Sequence, residues 1–272
     1  MSIGFAINGI GLLGPGLANW SEGRATLAAQ ATYQPTEMKL AASELLPPAE
    51  RRRMTDTVKL ALVVGSEAIA QSDIGAEATP TVFTSSGGDG ATIISILDIL
   101  ASAEREVSPT RFHNSVHNAP SGYWSIATHA HEPSTSLCAY DYSFGAGLLE
   151  AVGLVTTERR PVLLVSYDVP YAAVLHRERP ILGMMGVALL LVPSDSPKAL
   201  ARGNLCLSRR QSPQTTMEAP RLEDLRSGNP TGRALPLLAA IARGAKTEVV
   251  IEHMAGNRLI LDLAGSVSDG RS

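Results

Sequence analysis

Ser134-Thr135-Ser136-Leu137-Cys138-Ala139-Tyr140-Asp141-Tyr142-Ser143-Phe144-Gly145-Ala146-Gly147-Leu148-Leu149-Glu150-Ala151-Val152-Gly153 is the stretch that decides the fold. It reads as a short buried strand over 134–139, an abrupt turn, and a helix rich in small residues. Leu137 and Ala139 alternate with polar positions on the strand side. Asp141 is placed to cap the helix, where a carboxylate accepts the orphan N–H groups of the first turn. Gly145, Ala146, Gly147, Ala151 and Gly153 leave a face smooth enough for close backbone packing. A strand that turns sharply into a helix sets one residue at the positive end of the helix dipole, a favoured place for a nucleophile. Here that place holds an aspartate.

The chain of 272 residues sits at the upper edge of what one core fills. Hydrophobic content of 44% with aromatics at 4% implies a core of Ala, Leu, Val and Ile, as in layered α/β packing. A formal charge of −3 gives no electrostatic case for nucleic acid or anionic membranes. Two cysteines, Cys138 and Cys206, make neither a disulfide framework nor a metal-thiolate cluster. The longest apolar run, 181–192, is interrupted by Gly183 and Gly186 and reads as a buried strand rather than a membrane span. No charged n-region precedes a signal-type segment, so a cytoplasmic location is expected.

Residues 3–10 read as a first strand closed by a turn over 11–16. Gly9-x-Gly11 and Gly14-x-Gly16 hint at a dinucleotide fingerprint, but neither a following helix of the right length nor an acidic residue at the right distance supports it. A polar excursion over 24–50 leads into Arg51-Arg52-Arg53, which open a helix expected over 51–71. Those arginines read as a solvated or carboxylate-paired helix start before they read as an acidic-partner dock. Next come a strand over 80–85, a glycine-rich turn at 86–90 and a helix over 91–104. The turn lacks a P-loop lysine and reads as a tight turn rather than a phosphate cradle. Within 108–131 lie four of the six histidines. A metal site fails for want of a carboxylate or cysteine at ligand spacing, and the segment suits an interface or pocket wall. Strands are expected over 161–167 and 186–193, a loop or linker over 194–232 holding one apolar island, 203–208, that is a candidate strand, a short helix over 233–243 and a hairpin over 247–264.

This order, with its local sequences, resembles the N-terminal half of the thiolase-fold β-ketoacyl synthases. The carrying residues are Ile7-Asn8-Gly9-Ile10-Gly11, Leu46-Pro47-Pro48-Ala49-Glu50-Arg51-Arg52-Arg53-Met54, residues 82–88, Asn114-Ser115-Val116-His117-Asn118-Ala119 and residues 183–192. The likeness covers about residues 1–195 and is greatest for the short chain-length-factor proteins of aryl-polyene-type clusters. It implies an α/β, layered αβα thiolase-like fold with a trimmed C-terminal half. Residues 1–195 would form the ketosynthase-like half, 196–232 a linker, 233–265 a helix and hairpin completing the domain, and 266–272 a frayed tail.

Catalytic relatives use a cysteine at the strand-to-helix turn, two histidines from the C-terminal half and an oxyanion hole. Aligning the helix through Leu148-Leu149-Glu150-Ala151 puts Asp141 at the nucleophile position; aligning on cysteine alone selects Cys138 and shifts the helix by three residues. Under the first register Cys138 is a small buried hydrophobe. Beyond residue 200 only His253 remains, and neither register completes a Cys-His-His set. The resemblance therefore implies a subunit without catalytic residues of its own. It would pair with a catalytic ketosynthase, meet an acyl carrier protein through that complex and shape the acyl tunnel, with no cofactor and no metal. Phe112, Asn114, His117, Asn118, Tyr123 and Trp124 are the candidate tunnel or interface wall, with Tyr140 and Tyr142 flanking the blocked site. The alternative is a stand-alone thioesterase or acyltransferase using Cys138 or a nearby serine, with His117 or His131 as base. A third reading, Asp141 assisting malonyl decarboxylation, ranks last because a carboxylate repels a developing carbanion.

Overall fold

The computed structural model describes residues 2–38, 40, 44–103, 105–210, 212–254 and 256–265. In chain order the elements are β1 (Ser2–Leu13), α1 (Trp20–Leu27), α2 (Pro48–Arg51), α3 (Asp56–Ala70), β2 (Thr81–Thr84) and α4 (Gly90–Ala101). Then come α5 (Pro109–Asn114), α6 (Ala119–Thr128), β3 (Ser134–Leu137), α7 (Ser143–Glu158), β4 (Val162–Asp168) and α8 (Ala173–Glu178). The last are β5 (Met185–Val192), β6 (Ala201–Ser208), α9 (Pro220–Gly228), α10 (Leu235–Arg243), β7 (Thr247–His253) and β8 (Asn257–Leu263).

All the described strands join one sheet in the order β3-β2-β4-β5-β1-β6-β8-β7. β2 runs parallel to β3 and β4, and the other pairings are antiparallel. The aliphatic strands β4 and β5 are buried along their whole length because helices cover both faces. On one face Leu60 and Val64 of α3 and Trp124 of α6 pack on Phe83, Leu163 and Val165. On the other, Phe144, Leu148 and Val152 of α7 and Leu237 and Leu238 of α10 pack on Val82, Leu164 and Leu189. The expected layered α/β fold is therefore present. Gly9 and Gly11 let the α3 backbone lie directly on β1: a Cβ on either would collide with the carbonyl oxygens of Ala68 and Val64.

Several boundaries differ from expectation. β1 runs on to Leu13, and the reversal falls at Gly14 and Leu17, which pair across it. The helix α1 comes next, missed because its sequence is polar. Glu67 of α3 ties this turn down by accepting the N–H groups of Leu12 (2.8 Å) and Trp20 (2.6 Å). Burial nevertheless lifts the Glu67 pKa against the pull of those two bonds. The helix expected over 51–71 begins only at Asp56. Pro48 starts a separate turn, Met54 is drawn into the core, and the extended Thr55 restarts the chain, leaving Arg53 paired with Glu50 at 3.3 Å. The strand over 134–139 ends at Leu137 and is a half-exposed sheet edge, not a buried strand.

The stretch 196–232 is not a linker. It supplies β6, hydrogen-bonded between β1 and β8, and helix α9. The candidate strand 203–208 is the core of β6, and pairing on both sides satisfies its backbone whatever its exposed side chains are. Residues 1–195 are accordingly continuous, through one sheet, with the later strands β6, β7 and β8. The helix expected over 233–243 starts at Leu235 after a 3-10 turn, Thr231–Ala234, and β7 and β8 form the expected hairpin. Ala255 in the hairpin turn, residues 39 and 41–43 of the polar excursion and the tail 266–272 lie outside the described residues.

Candidate functional site

The parallel strands β2, β3 and β4 end on the same side of the sheet, so the segments after them meet there. Behind β2 lies the turn 85–90, behind β3 the segment 138–142, and behind β4 the chain from Asp168 to Arg179.

Asp141 does not cap α7. A 3-10 turn, Tyr140–Tyr142, intervenes, and the helix begins at Ser143. Tyr140 makes the bend with φ +55°, a left-handed conformation unusual for an aromatic residue. Ser143 stabilises it: its Oγ accepts from the Ala139 N–H (3.0 Å) and donates to the Tyr140 carbonyl (2.7 Å). Thr84 Oγ1 donates to the Ser143 carbonyl at 2.9 Å, pinning the helix start to β2.

The Asp141 carboxylate is instead held by Arg179, whose Nη2 donates to Oδ1 at 2.6 Å. The same guanidinium donates to Tyr171 Oη (2.7 Å) and the Ser86 carbonyl (3.4 Å), and stacks 3.7 Å from the Tyr140 ring centre. Burial works against its charge, yet the bond to Asp141 and the neighbouring Tyr171 hold the guanidinium above its usual pKa. Gly87 and Gly90 seat Tyr171, whose ring leaves no room for a Cβ at either. The N–H groups of Ser86, Gly87 and Gly88 are spent on Asp168 and Ser85 Oγ, so the glycine-rich turn is a tight turn, not an open phosphate cradle.

Cys138 is exposed and lies past the end of β3, contrary to the buried position expected of it. Its Sγ donates to the Ser86 carbonyl at 3.3 Å, and His117 Nε2 lies 3.3 Å from the adjacent Ser85 carbonyl. His131 is exposed before β3 and joins neither contact.

Asp168 is the residue that sequence reasoning missed. Buried at the end of β4, it accepts from Ser86 N (2.9 Å), Ser86 Oγ (2.6 Å) and Ser85 Oγ (3.2 Å) through Oδ1, and from Thr231 Oγ1 (2.8 Å) through Oδ2. Burial raises its pKa although all four bonds oppose the rise. The sequence signal is an acid closing a strand whose first four residues are aliphatic.

His253, at the end of β7, is buried beside Gly145 in the first turn of α7, and its Nδ1 has no hydrogen-bond partner among the described residues. Burial lowers its pKa below the usual 6.5. The unfolded chain then takes up a proton before the folded one does. Stability from this residue is full above about 6.5 and is lost as pH falls from there toward the folded value. Thermal midpoints measured from pH 8 to pH 5 should therefore fall less for His253→Leu than for the parent; parallel curves would contradict this.

The segment expected to form a wall divides in two. Tyr123 and Trp124 are taken up by the chain's own core, with Trp124 against Phe83 and Gly65. Asn114 is buried too, donating to the Arg53 carbonyl (2.8 Å) and accepting from Tyr123 Oη (3.1 Å). His113 packs edge-on to Tyr123. Phe112 (67% exposed), Val116, Asn118 and Tyr140 (56%) face outward, and Tyr142 is half-buried. The expected helix is present as α4, but its exposure was not expected: among its residues only Gly90 is buried, and Leu97 (52%) and Leu100 (47%) lie in the open. None of the described helices is long and apolar enough to cross a membrane.

The chain belongs to the β-ketoacyl synthase family: residues 20–251 match the family model described as beta-ketoacyl synthase, N-terminal domain. Its fold is shared with solved assemblies of that family. One is a ketosynthase (ApeO) in complex with its chain length factor (ApeC) from Xenorhabdus doucetiae, at 24% identity and TM-score 0.72, covering 95% of this chain and 98% of that one. A second is the ishigamide ketosynthase/chain length factor, at 15% identity and TM-score 0.73, covering 97% and 99%. A third is AntDE:AntF, a type II polyketide acyl-carrier protein in complex with its ketosynthase, at 9% identity and TM-score 0.73, covering 98% and 100%. At these identities the likeness establishes the fold. Comparison with curated protein sequences returned no match.

Proposed function

We propose that this chain is a chain-length-factor-like subunit without catalytic residues of its own. It pairs with a catalytic β-ketoacyl-ACP synthase and shapes the acyl tunnel in fatty-acid or polyketide elongation, with aryl-polyene-type products and a cytoplasmic location. The observation that carries this reading is the Asp141–Arg179 ion pair in the turn ahead of α7: in the register that aligns the small residues of the helix, a bound carboxylate would stand where catalytic relatives hold a thiol. Two surfaces support the pairing. The sheet edge at β7 is covered in part by Thr215, which exchanges hydrogen bonds with Val250 on both its N–H and its carbonyl, whereas β3 pairs only with β2 among the described strands. An open strand edge and the uncovered apolar helix α4 are surfaces that a sheet-extending partner would use. The acyl carrier protein is a partner through that complex.

The second reading, a thioester-active enzyme, draws on the exposed Cys138 and on His117 at the next carbonyl. One assay separates the two. With malonyl- and acyl-loaded carrier protein, elongation products read by mass spectrometry should require both subunits and survive Cys138→Ala within about two-fold. Turnover by this chain alone, abolished by Cys138→Ala, would establish the enzyme instead.

A further inference from the structure

Tyr140 combines three properties rarely found together. Its backbone is held at φ +55°, a conformation that costs an aromatic residue free energy and persists only where the surroundings impose it. Its ring is 56% exposed, while its inner face rests on the Arg179 guanidinium at 3.7 Å. That guanidinium is itself fixed by Asp141, Tyr171 and the Ser86 carbonyl. A large apolar ring is thus presented to the outside in one orientation, three residues past the end of the open edge strand β3.

We infer that Tyr140 is a preorganised anchor inserted into an apolar pocket of the catalytic ketosynthase subunit, with Arg179 as its positioning residue; this rests on the pairing proposed above. Rigid aromatic residues that lose little conformational freedom dominate binding energy at protein interfaces. The occupant is a protein surface rather than an acyl chain, because the ring stands beside a strand edge that itself needs a protein partner to complete its hydrogen bonds.

The experiment measures the affinity of the purified chain for the ketosynthase encoded nearest to it, and product length from the reconstituted pair. Tyr140→Ala should weaken binding by about thirty-fold or more, and Tyr140→Phe should stay within about two-fold of the parent. Tyr140→Gly should bind as weakly as Tyr140→Ala while the chain's own thermal midpoint is unchanged or higher, since glycine removes the left-handed strain. Arg179→Ala should weaken binding, and adding it to Tyr140→Ala should cost little more, because the two act as one unit. Unchanged affinity for Tyr140→Ala overturns the anchor while leaving the pairing intact. So does unchanged affinity with altered product length, which would make Tyr140 a tunnel residue. Absence of any complex with the parent chain overturns the pairing and the anchor together.

Discussion

Alanine in place of Asp168 is expected to destabilise the chain by about 3–5 kcal/mol, measured by denaturant unfolding. The carboxylate joins three segments distant in sequence, through Ser85 and Ser86 behind β2 and Thr231 ahead of α10. Its removal orphans one buried N–H and three hydroxyls, each costing about 1–3 kcal/mol before partial relaxation among themselves. Ser166 Oγ, 2.9 Å from Thr231 Oγ1, can recover only one of them. Asp168→Asn should cost less, about 1 kcal/mol, since one amide oxygen can keep the three bonds now made to Oδ1. The pH dependence has a definite sign. Burial holds the folded carboxyl above its usual 3.8, so the stability it contributes is full below about 3.8 and is lost as pH rises past it. The gap between parent and Asp168→Asn should therefore narrow as pH rises from about 4 toward 7. A gap that widens over that range would mean the hydrogen bonds outweigh burial.

The second large effect is expected on assembly rather than folding. Leu97 and Leu100 extend from α4 into the open, so Leu97→Asp/Leu100→Asp removes little from the chain's own core and should shift its stability by no more than about 0.5 kcal/mol per site. If a partner covers that helix, two carboxylates desolvated against its apolar face should lower affinity by about a hundred-fold or more. Size-exclusion chromatography of the mixed subunits reads the result directly. Retained binding would place the interface elsewhere and make α4 an apolar helix without a known cover.

Much of this architecture is legible in the sequence because it depends on period and side-chain size. The aliphatic β4 and β5 and the small-residue helix α7 announce themselves; Gly147, whose Cβ would stand 2.7 Å from Thr84 Cγ2, shows why the small residues matter. What escaped depends on contacts distant in sequence. Arg179 lies 38 residues from Asp141, and nothing local marks it as the partner of that carboxylate. The cap assigned to Asp141 failed because Tyr140 adopts a left-handed conformation that no propensity for tyrosine foretells, and the extra turn moves the helix start to Ser143. The apolar island 203–208 announces most of β6, but the polar residues around it hide that the strand is paired on both sides within the sheet. The apolar residues of α4 are recognisably helical, but helical spacing does not say whether the face it creates is covered by the same chain.

The most direct test of the accessory-subunit reading is co-expression with the nearest-encoded ketosynthase, with the tag on that partner alone, followed by native mass measurement. Co-elution in equal stoichiometry is the expected result. A stable monomer that ignores the ketosynthase would contradict it and turn attention to Cys138.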